Sequence, residues 1–239
     1  MASPMSVPSG LRQNDGGMAV RPGRDLPAWH SVLAVVAHPD DETFGLGAVI
    51  AAMVLSGSKV HVLCFTHGEA STLNTRGADL QVARAHELCQ ASMELGVTGV
   101  TLLDYPDAGL AAVSPAELES TVTGLAARIG ADGLLTFDDT GVTGHHDHQA
   151  ATAAAVSAAR KADLPVLAWT LSEGVAARLA TETGAPFIGR PDGKVDICVR
   201  VDRARQRRAA LLHASQVSPT AVLWRRLQLQ GDCEHLRWI

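Results

Sequence analysis

The sequence predicts an α/β fold: a single Rossmann-like domain with a mostly parallel sheet and helices on both faces. Short strand-like segments are apolar throughout, the segments between them carry apolar residues at helical spacing, and the two kinds alternate from residue 31 onward. Strands that are apolar on both sides are typical of parallel sheets covered by helices on both faces. A chain of 239 residues that is 46% hydrophobic suits one large domain with a sizeable core.

The first five predicted elements alternate between strand and helix. They are a strand at 31–37, a helix at 44–57, a strand at 59–66, a helix at 79–97 and a strand at 100–105. The strands are apolar runs such as "SVLAVVA" and "KVHVLCFT". Gly57 and Gly96 lie near the ends of the two helical patterns, and glycine is the residue that most often follows the end of a helix.

The later elements continue the alternation less regularly. They are a helix at 114–130, a strand at 131–138, an Ala-rich helix at 146–162, a strand at 164–170, a short helix near 172–183, a strand at 194–201 and a helix that opens at Asp202. The helix at 114–130 has the clearest start. Ser114 is a typical N-cap, Pro115 occupies the first helical position, and Glu117 lies three residues after the cap.

The N-terminal segment differs in composition from the rest of the chain. Residues 1–30 are rich in Ser, Pro, Gly and Arg and lack the apolar core of a signal peptide, so we predict a flexible leader that becomes ordered near Leu26. Residues 31–239 form the predicted domain. The longest apolar stretch, Leu46 to Leu55, is too short to span a bilayer.

Charge and cysteine content limit the partners and the cellular compartment that the protein can have. The formal net charge of −5 argues against nucleic acid as a partner, and the one basic cluster, Arg203 to Arg208, is predicted to be a solvated helix face. The four cysteines form no C-x-x-C pair, which predicts reduced thiols and a cytoplasmic protein. The oligomeric state does not follow from the sequence, and a homo-oligomer is compatible with it.

Polar side chains gather where four successive predicted strands end. Ligands of open parallel sheets bind beyond the carboxyl ends of the strands. The residues at these ends are His38, Asp40, Asp41 and Glu42, then His67, Gly68 and Glu69, then Asp104 and Asp107, then Asp138, Asp139, His145, His146, Asp147 and His148. Each residue alone could be an ordinary solvated strand end, but the two richest clusters together favour a functional site.

A dinucleotide site is the first alternative for this edge. Gly45 and Gly47 form part of a glycine-rich fingerprint, but its third position is Ile50. Asp40 and Asp41 in the preceding turn would repel a pyrophosphate that needs the helix N-terminus. The sequence therefore disfavours a nicotinamide or flavin cofactor.

A metal site explains the same residues better. His38 and Asp41 are three residues apart in one tight turn, and His148 opens the helix after the fourth strand. Two His and one Asp leave a fourth position for water, which is the layout of a catalytic zinc (Zn²⁺) site, although iron(II) suits these ligands as well. A dication would also make adjacent carboxylates tolerable.

Three neighbouring residues then have candidate catalytic roles. Asp40 lies beside the ligand Asp41 and could take a proton from metal-bound water. His145 could stay protonated and donate to a developing oxyanion, and Asp147 could hold that imidazole in the right tautomer. The reaction predicted from these residues is metal-assisted hydrolysis of an acyl group.

The chain resembles the LmbE-like/PIG-L zinc-dependent N-deacetylase family, whose members remove acetyl groups from N-acetylglucosamine-type substrates. The resemblance is carried by "AHPDDE" at 37–42 and "TGHHDH" at 143–148, with weaker support from "THGE", "DYPDAGL", "ARAHEL" and "LLHASQ". It implies zinc ligands at His38, Asp41 and His148. It implies Asp40 as the general base and His145, supported by Asp147, as the oxyanion stabiliser. It also implies substrate-binding positions at Asp107, Arg84 and Glu69.

Other features of the resemblance concern the substrate. His213 and Gln216 match a C-terminal motif that we expect at the rim of the site. His146 stands where the family usually has Pro, and Thr143 stands where some relatives carry an aromatic residue that closes over the substrate. We expect His146 to face solvent and the substrate mouth to be more open than in those relatives.

Three functional hypotheses remain open from the sequence. The first is a deacetylase of a small-molecule amino-sugar conjugate. The second keeps the same site but cleaves another amide, in a thiol–sugar conjugate. The third is a non-catalytic sugar-binding domain, which would lack a base or a ligand, whereas this chain has every expected residue.

Overall fold

The computed structural model describes residues 25–73 and 80–239, so most of the predicted flexible leader lies outside the described residues. Within these ranges, eight strands form one sheet. They are β1 (Ser31–Val36), β2 (Lys59–Thr66), β3 (Gly99–Tyr105), β4 (Gly133–Phe137), β5 (Val166–Ser172), β6 (Gly189–Arg190), β7 (Ile197–Arg200) and β8 (Cys233–Trp238). The helices are α1 (Asp41–Phe44), α2 (Gly47–Leu55), α3 (Leu80–Leu95), α4 (Pro115–Ile129), α5 (Gly141–Gly144), α6 (His146–Ala162), α7 (Glu173–Thr183), α8 (Ala204–Leu212) and α9 (Val222–Gln230). None of these helices is both long and apolar enough to cross a bilayer.

The sheet is parallel over most of its width. Its strand order is β3-β2-β1-β4-β5-β8-β7, with the short β6 beside the end of β5. The strands from β3 to β5 are parallel, whereas β8 runs antiparallel to both β5 and β7. Because β1 and β4 are neighbours, the segments that follow them meet at one edge of the sheet. This confirms the predicted α/β class and places the two motif-bearing segments side by side.

The core has two layers, one on each face of the sheet. All six residues of β1 are buried, and successive residues of a strand point to opposite faces. Val32, Ala34 and Val36 pack in the layer that contains α2 and α3. Leu33 and Val35 pack in the layer that contains α4 and α6. The continuous apolar pattern of this strand therefore has a direct structural cause.

The predicted helix at 44–57 is shorter in the structure, where it is α2 (Gly47–Leu55), and it is preceded by the unpredicted α1 (Asp41–Phe44). The chain bends at Gly45, where an added Cβ would lie 2.2 Å from the Phe137 ring. An added Cβ at Gly47 would lie 3.1 Å from Gln206. These glycines therefore permit close packing of the helices against β4 and α8, in agreement with the argument against phosphate binding.

The C-terminal elements α9 and β8 are not predicted by the sequence pattern. Alternate residues of β8 are buried, but one of them is Glu234, which is fully buried and forms an ion pair with Arg203. A charged residue at a buried strand position hides the alternation from which strands are predicted. The same ion pair shows that the predicted solvated face is wrong at Arg203, although Arg208 is exposed and pairs with Glu94 at 2.7 Å.

The prediction of four reduced cysteines is also wrong. Cys198 and Cys233 form a disulfide between the neighbouring strands β7 and β8, whereas Cys64 and Cys89 are free. The antiparallel pairing brings the two residues together, with their Cα atoms 6.1 Å apart, and nothing in their sequence spacing reveals it. Because disulfides are rare in the cytosol of mesophiles, cysteine usage no longer supports a cytoplasmic location.

Candidate metal centre and active site

The candidate site is a polar pocket of about 410 Å³ at the carboxyl ends of β1 and β4. The turn after β1 and the N-terminus of α6 form opposite walls. The pocket is lined by most of the predicted site residues, namely His38, Asp40, Asp41, Arg84, Asp107, His145 and His148, and by Gln216. Residues more than 100 positions apart in the chain therefore converge, as the topology of the sheet requires.

The three predicted metal ligands point their donor atoms at one another. His38 Nδ1 lies 3.2 Å from His148 Nε2 and 3.5 Å from Asp41 Oδ2. His148 Nε2 lies 3.2 Å from Asp41 Oδ1. Donors at 2.0–2.1 Å from a tetrahedral zinc ion would be roughly 3.4 Å apart. The donor set and its spacing therefore fit one zinc ion.

The second nitrogen of each imidazole is occupied in the way a metal site requires. His38 Nε2 lies 3.0 Å from Asp107 Oδ1 and 3.3 Å from Asp147 Oδ2. His148 Nδ1 donates to the carbonyl oxygen of Gly141 at 3.2 Å. A proton on these outer nitrogens leaves His38 Nδ1 and His148 Nε2 free as ligands. Asp41 is fixed by the His38 backbone N–H, which donates to Oδ2 at 2.9 Å.

The electrostatic environment of His38 also favours a cation. Burial lowers the pKa of His38, but hydrogen bonds to the carboxylates of Asp107 and Asp147 outweigh it and raise the pKa to about 12. Burial raises the pKa of Asp107, but its hydrogen bond with His38 dominates and lowers that pKa to about 2. Buried carboxylates that stay ionised around an imidazole create a field that a bound dication would neutralise.

Asp40, the predicted general base, lies in an unusual backbone conformation. Its φ is 121°, which is costly for a residue with a side chain. The Asp40 backbone N–H donates to Glu42 Oε2 at 2.9 Å, and Arg84 donates to Asp40 Oδ2 at 3.0 Å. Burial raises the pKa of Asp40 to about 6, although the nearby Arg84 opposes the shift. The predicted base is therefore held in place by hydrogen bonds to its backbone and to its carboxylate.

A buried ion pair under this turn is missed by the sequence analysis. Glu42 and His213 are both fully buried, and His213 Nε2 lies 2.8 Å from Glu42 Oε1. Glu42 also accepts from the Thr43 hydroxyl at 2.5 Å. We expected His213 at the rim of the site, but it lies beneath the turn. The sequence carried part of the signal for this pair, because a carboxylate in a buried turn requires a hydrogen-bonding or cationic partner.

Two of the three predicted substrate-binding residues have other contacts in the structure. The Arg84 side chain is buried, and besides Asp40 it donates to the backbone oxygens of Gly68 and Pro39. It is therefore not a surface charge; it lies in the pocket wall and contacts Asp40, the predicted base. Glu69 accepts from the Asp107 backbone N–H at 3.0 Å and so supports Asp107, which does line the pocket.

The predicted support of His145 by Asp147 also differs from the observed contacts. The Asp147 carboxylate bonds to His38 and accepts from the backbone N–H groups of Ala108 at 2.7 Å and Leu110 at 3.0 Å. It is the Asp147 backbone N–H that donates to His145 Nδ1, at 3.2 Å. Burial and the neighbouring His148 lower the pKa of His145, so a neutral imidazole with its proton on Nε2 is favoured over the protonated ring that was expected. His146 is exposed, as expected.

A second pocket, of about 200 Å³, is lined by two of the same residues. It shares Asp41 and His148 with the polar pocket, but its other walls are largely apolar. Thr143 lies on its rim and is partly exposed. We refer to these two spaces as the polar pocket and the aromatic pocket.

The fold and the site together define an α/β protein with a His₂Asp donor cluster that fits a metal ion at the ends of two parallel strands. The family model described as PIG-L, GlcNAc-PI de-N-acetylase, matches residues 33–159. The match covers more than half of the chain, which therefore belongs to the PIG-L family.

Individual relatives agree with this assignment. The chain is similar to the 1D-myo-inositol 2-acetamido-2-deoxy-alpha-D-glucopyranoside deacetylase of Mycolicibacterium vanbaalenii, with 33% identity over 230 residues, covering 78% of this chain and 81% of the relative. A solved deacetylase of an antimicrobial pseudoaglycone has a TM-score of 0.67 at 21% identity and covers 88% of this chain and 97% of its own.

The same fold also occurs with a different reaction. GalB from Pseudomonas putida, a 4-carboxy-2-hydroxymuconate hydratase, has a TM-score of 0.67 at 19% identity, covering 87% of this chain and 95% of its own. The fold alone therefore does not decide the reaction, which depends on the residues of the site.

Proposed function

We propose that this protein is a zinc-dependent N-deacetylase that hydrolyses the acetamide of an N-acetylglucosamine-type conjugate. The observation that carries the proposal is the placement of Asp40 beside a His₂Asp donor cluster in one polar pocket, with His145 in the same pocket. The named deacetylase relative, which covers most of the chain, supports the same reaction.

His38, Asp41 and His148 would hold the metal. A bound zinc ion would supply a water of lowered pKa and polarise the amide carbonyl. Iron(II) suits the same nitrogen and oxygen donors, so metal analysis must decide between them.

Asp40 would move the protons of the reaction. Its carboxylate lines the pocket next to Asp41, and its pKa of about 6 leaves it mostly ionised at neutral pH. An ionised carboxylate with a pKa near the working pH is an efficient base toward water and, once protonated, an efficient acid toward the leaving amine. Water adds to the carbonyl carbon, the carbon–nitrogen bond breaks, and acetate and an amine result.

His145 would stabilise the negative charge that develops on the carbonyl oxygen. Because its Nδ1 accepts from the Asp147 backbone, the ring presents Nε2–H as a donor. The ring is stacked on that of His148, with centroids 4.7 Å apart, so this donor is held beside the donor cluster. A preoriented donor of this kind typically contributes about 10²- to 10³-fold in rate.

The polar pocket would hold the amino sugar. Asp107, Ser71 and Gln216 line it, and the Ser71 hydroxyl donates to Gln216 at 2.7 Å, so polar side chains border the space. Such groups suit the hydroxyls of a sugar. The proposed partner is therefore a small molecule. The cytoplasm remains the predicted compartment.

Acetate release and metal content should be measured together in two matched variants. Asp40→Asn should lower turnover of an N-acetylglucosaminide by about 10²- to 10⁴-fold while the zinc content stays near one per chain. Asp104→Asn removes a carboxylate that lies near the end of β3 but is 97% exposed, so it should leave turnover within about twofold of the parent.

The outcomes separate the candidate functions. Full activity in Asp40→Asn would overturn the assignment of the base. Release of a larger acid from a thiol–sugar conjugate, without acetate from any N-acetylglucosaminide, would favour the alternative amidase. Sugar binding without release of any acid would favour a non-catalytic binding domain.

A further inference from the structure

A second cluster of potential metal ligands lies where β7 pairs with β8. It consists of Cys198, Cys233 and His235, each of which offers one donor atom, and these atoms lie within 4.8 Å of one another. The cluster shares no residue with the His₂Asp donor cluster of the active site. Sulfur and imidazole nitrogen are the donors that zinc prefers in proteins, whereas calcium and magnesium prefer oxygen. The donor types therefore point to zinc or a similar thiophilic ion.

The antiparallel pairing of β7 and β8 puts the three side chains on one face of the sheet. Cys198 lies directly opposite His235, and Cys233 precedes His235 by two residues on β8. Because successive residues of a strand point to opposite faces, Cys233 and His235 share a face, and Glu234 between them is buried on the other. All three members of the cluster are partly exposed, so a dissolved ion can reach them.

The His235 ring has no strong polar partner while the two cysteines form their disulfide. Its Nε2 lies 3.9 Å from Cys198 Sγ, and sulfur is a weak hydrogen-bonding atom. Its Nδ1 is buried and has no partner among the residues that the structure describes. A sulfur and a nitrogen bound to one tetrahedral zinc ion would be roughly 3.6 Å apart, which is close to the observed separation. The ring is therefore placed to bind an ion together with the sulfurs.

We propose that Cys198, Cys233 and His235 form a second metal site, which binds one zinc ion or similar thiophilic divalent cation when the disulfide is reduced. A dithiol reductant gives two electrons and two protons to the disulfide, so the S–S bond breaks, two thiols form and the dithiol becomes a disulfide. The cation then displaces both thiol protons and bonds to the two thiolates and to His235 Nε2. Water completes the coordination, because the cluster is partly exposed.

The second site cross-links β7 and β8 in both redox states. In a reducing compartment the disulfide opens, and the bound ion then takes its place between the two strands. With the disulfide closed, the cluster offers no thiolate, so the oxidised protein should hold zinc in the proposed active site alone. Oxidation of Cys198 and Cys233 would therefore release the second ion and leave the active-site ion bound.

The first test is Co²⁺ binding by the full chain before and after reduction with a water-soluble phosphine, which becomes a phosphine oxide. The proposed active-site ligands contain no sulfur, so a thiolate-to-cobalt charge-transfer band in the near ultraviolet reports a cysteine site alone. The reduced protein should show this band and bind one Co²⁺ per chain more than the oxidised protein. Fully reduced protein that lacks the band would overturn the proposal, whether or not it binds a further ion.

Single variants of the reduced protein locate the site. Cys198→Ser and His235→Ala each remove one ligand and should weaken binding of the second Co²⁺ by roughly 100-fold. Cys89→Ser is the matched control, because Cys89 is a free, exposed cysteine on α3, and it should keep both the band and the second ion. A band that is unchanged in Cys198→Ser, or that is lost in Cys89→Ser, would refute the location.

Alkylation of the reduced parent tests the site without any substitution. Bound Zn²⁺ should slow the reaction of Cys198 and Cys233 with iodoacetamide by about tenfold or more, because a metal-bound thiolate is a poorer nucleophile than a free one. Cys89 should react at an unchanged rate, and peptide mass spectrometry distinguishes the residues. Equal rates with and without Zn²⁺ would contradict the metal site and leave a purely structural disulfide. Turnover is not measured, so the result does not depend on the proposed hydrolase function.

Discussion

The two segments that build the active site differ sharply in how they are held. In the turn after β1, Asp41 and Glu42 are buried, and contacts from α3 and from the end of α8 fix the backbone. In the segment after β4, His145 and His146 are exposed, and Val142 has a φ of 66°. Both segments supply proposed metal ligands, but only the first carries the proposed base.

The difference shows where the chemistry demands fixed geometry. Proton transfer requires Asp40 at a set distance from its target, and a buried, fully bonded network provides this. The exposed segment borders both pockets, so side chains there can vary with the substrate without disturbing the base. We therefore expect changes in the first segment to reduce turnover and changes on the rim of the second to alter specificity.

The largest expected effect comes from the ligands, because both segments contribute them. His38→Ala and His148→Ala should each lose bound zinc and lower turnover to background, since two donors do not hold a catalytic ion. Elemental analysis and acetate release check this prediction. His146→Ala is the matched control, because the His146 imidazole is exposed. This variant should keep both its bound zinc and its turnover. Full zinc content in either ligand variant would refute the ligand set.

Next in size is the buried pair beneath the first segment. Glu42→Gln removes the partner of His213 and weakens the hold on the Asp40 backbone. Breaking a buried pair costs about 3–5 kcal/mol of unfolding free energy, and loss of support for a metal site typically costs 10- to 100-fold in activity. Thermal melts and kcat at full zinc occupancy check both effects. A variant as stable and active as the parent would show that the pair does not position the base.

A smaller effect is expected in the pH profile. Burial raises the pKa of Asp40 to about 6, and Arg84 lowers it from what burial alone would produce. Asp40 must be ionised to act as a base, so kcat/KM should fall as the pH drops through about 6. In Arg84→Met this acid limb should move to higher pH, because the neutral side chain no longer favours the carboxylate. An acid limb that stays in place or moves to lower pH would show that Arg84 does not stabilise the Asp40 carboxylate.

The smallest effect concerns the support of the substrate wall. Glu69→Gln weakens the acceptor for the Asp107 backbone, an interaction of about 1 kcal/mol, so KM should rise about fivefold with little change in kcat. Glu173→Gln, at an exposed position, serves as the control. A fall in kcat with KM unchanged would place Glu69 in the chemistry and not in the support of Asp107.

Local sequence patterns predicted the parts of the fold that depend on apolar spacing. The strands and helices from β1 to α6 follow the predictions within a few residues, apart from the bend at Gly45 and the short α5, because their buried positions carry apolar residues. The elements α9 and β8 were missed because buried charges, such as Arg226 and Glu234, interrupt that spacing. The disulfide between Cys198 and Cys233 depends on the same missed strand.

The site, like the fold, was predictable only where local sequence patterns mark it. The ligand cluster follows from motifs at the ends of two strands, and the topology of the sheet brings them together. The partners of these residues were not predictable, because Glu42 meets His213 across 171 positions and Arg84 meets Asp40 across 44. Local sequence reasoning identifies a charged group more readily than the distant group that neutralises it.

The central claim is tested most directly by restoring metal to stripped protein. The chelated protein should release no acetate from an N-acetylglucosaminide, and stepwise addition of Zn²⁺ should restore release in proportion to bound zinc, up to one ion per chain. Acetate release that is unaffected by chelation, or one bound zinc per chain without acetate release from any N-acetylglucosaminide, would contradict the account.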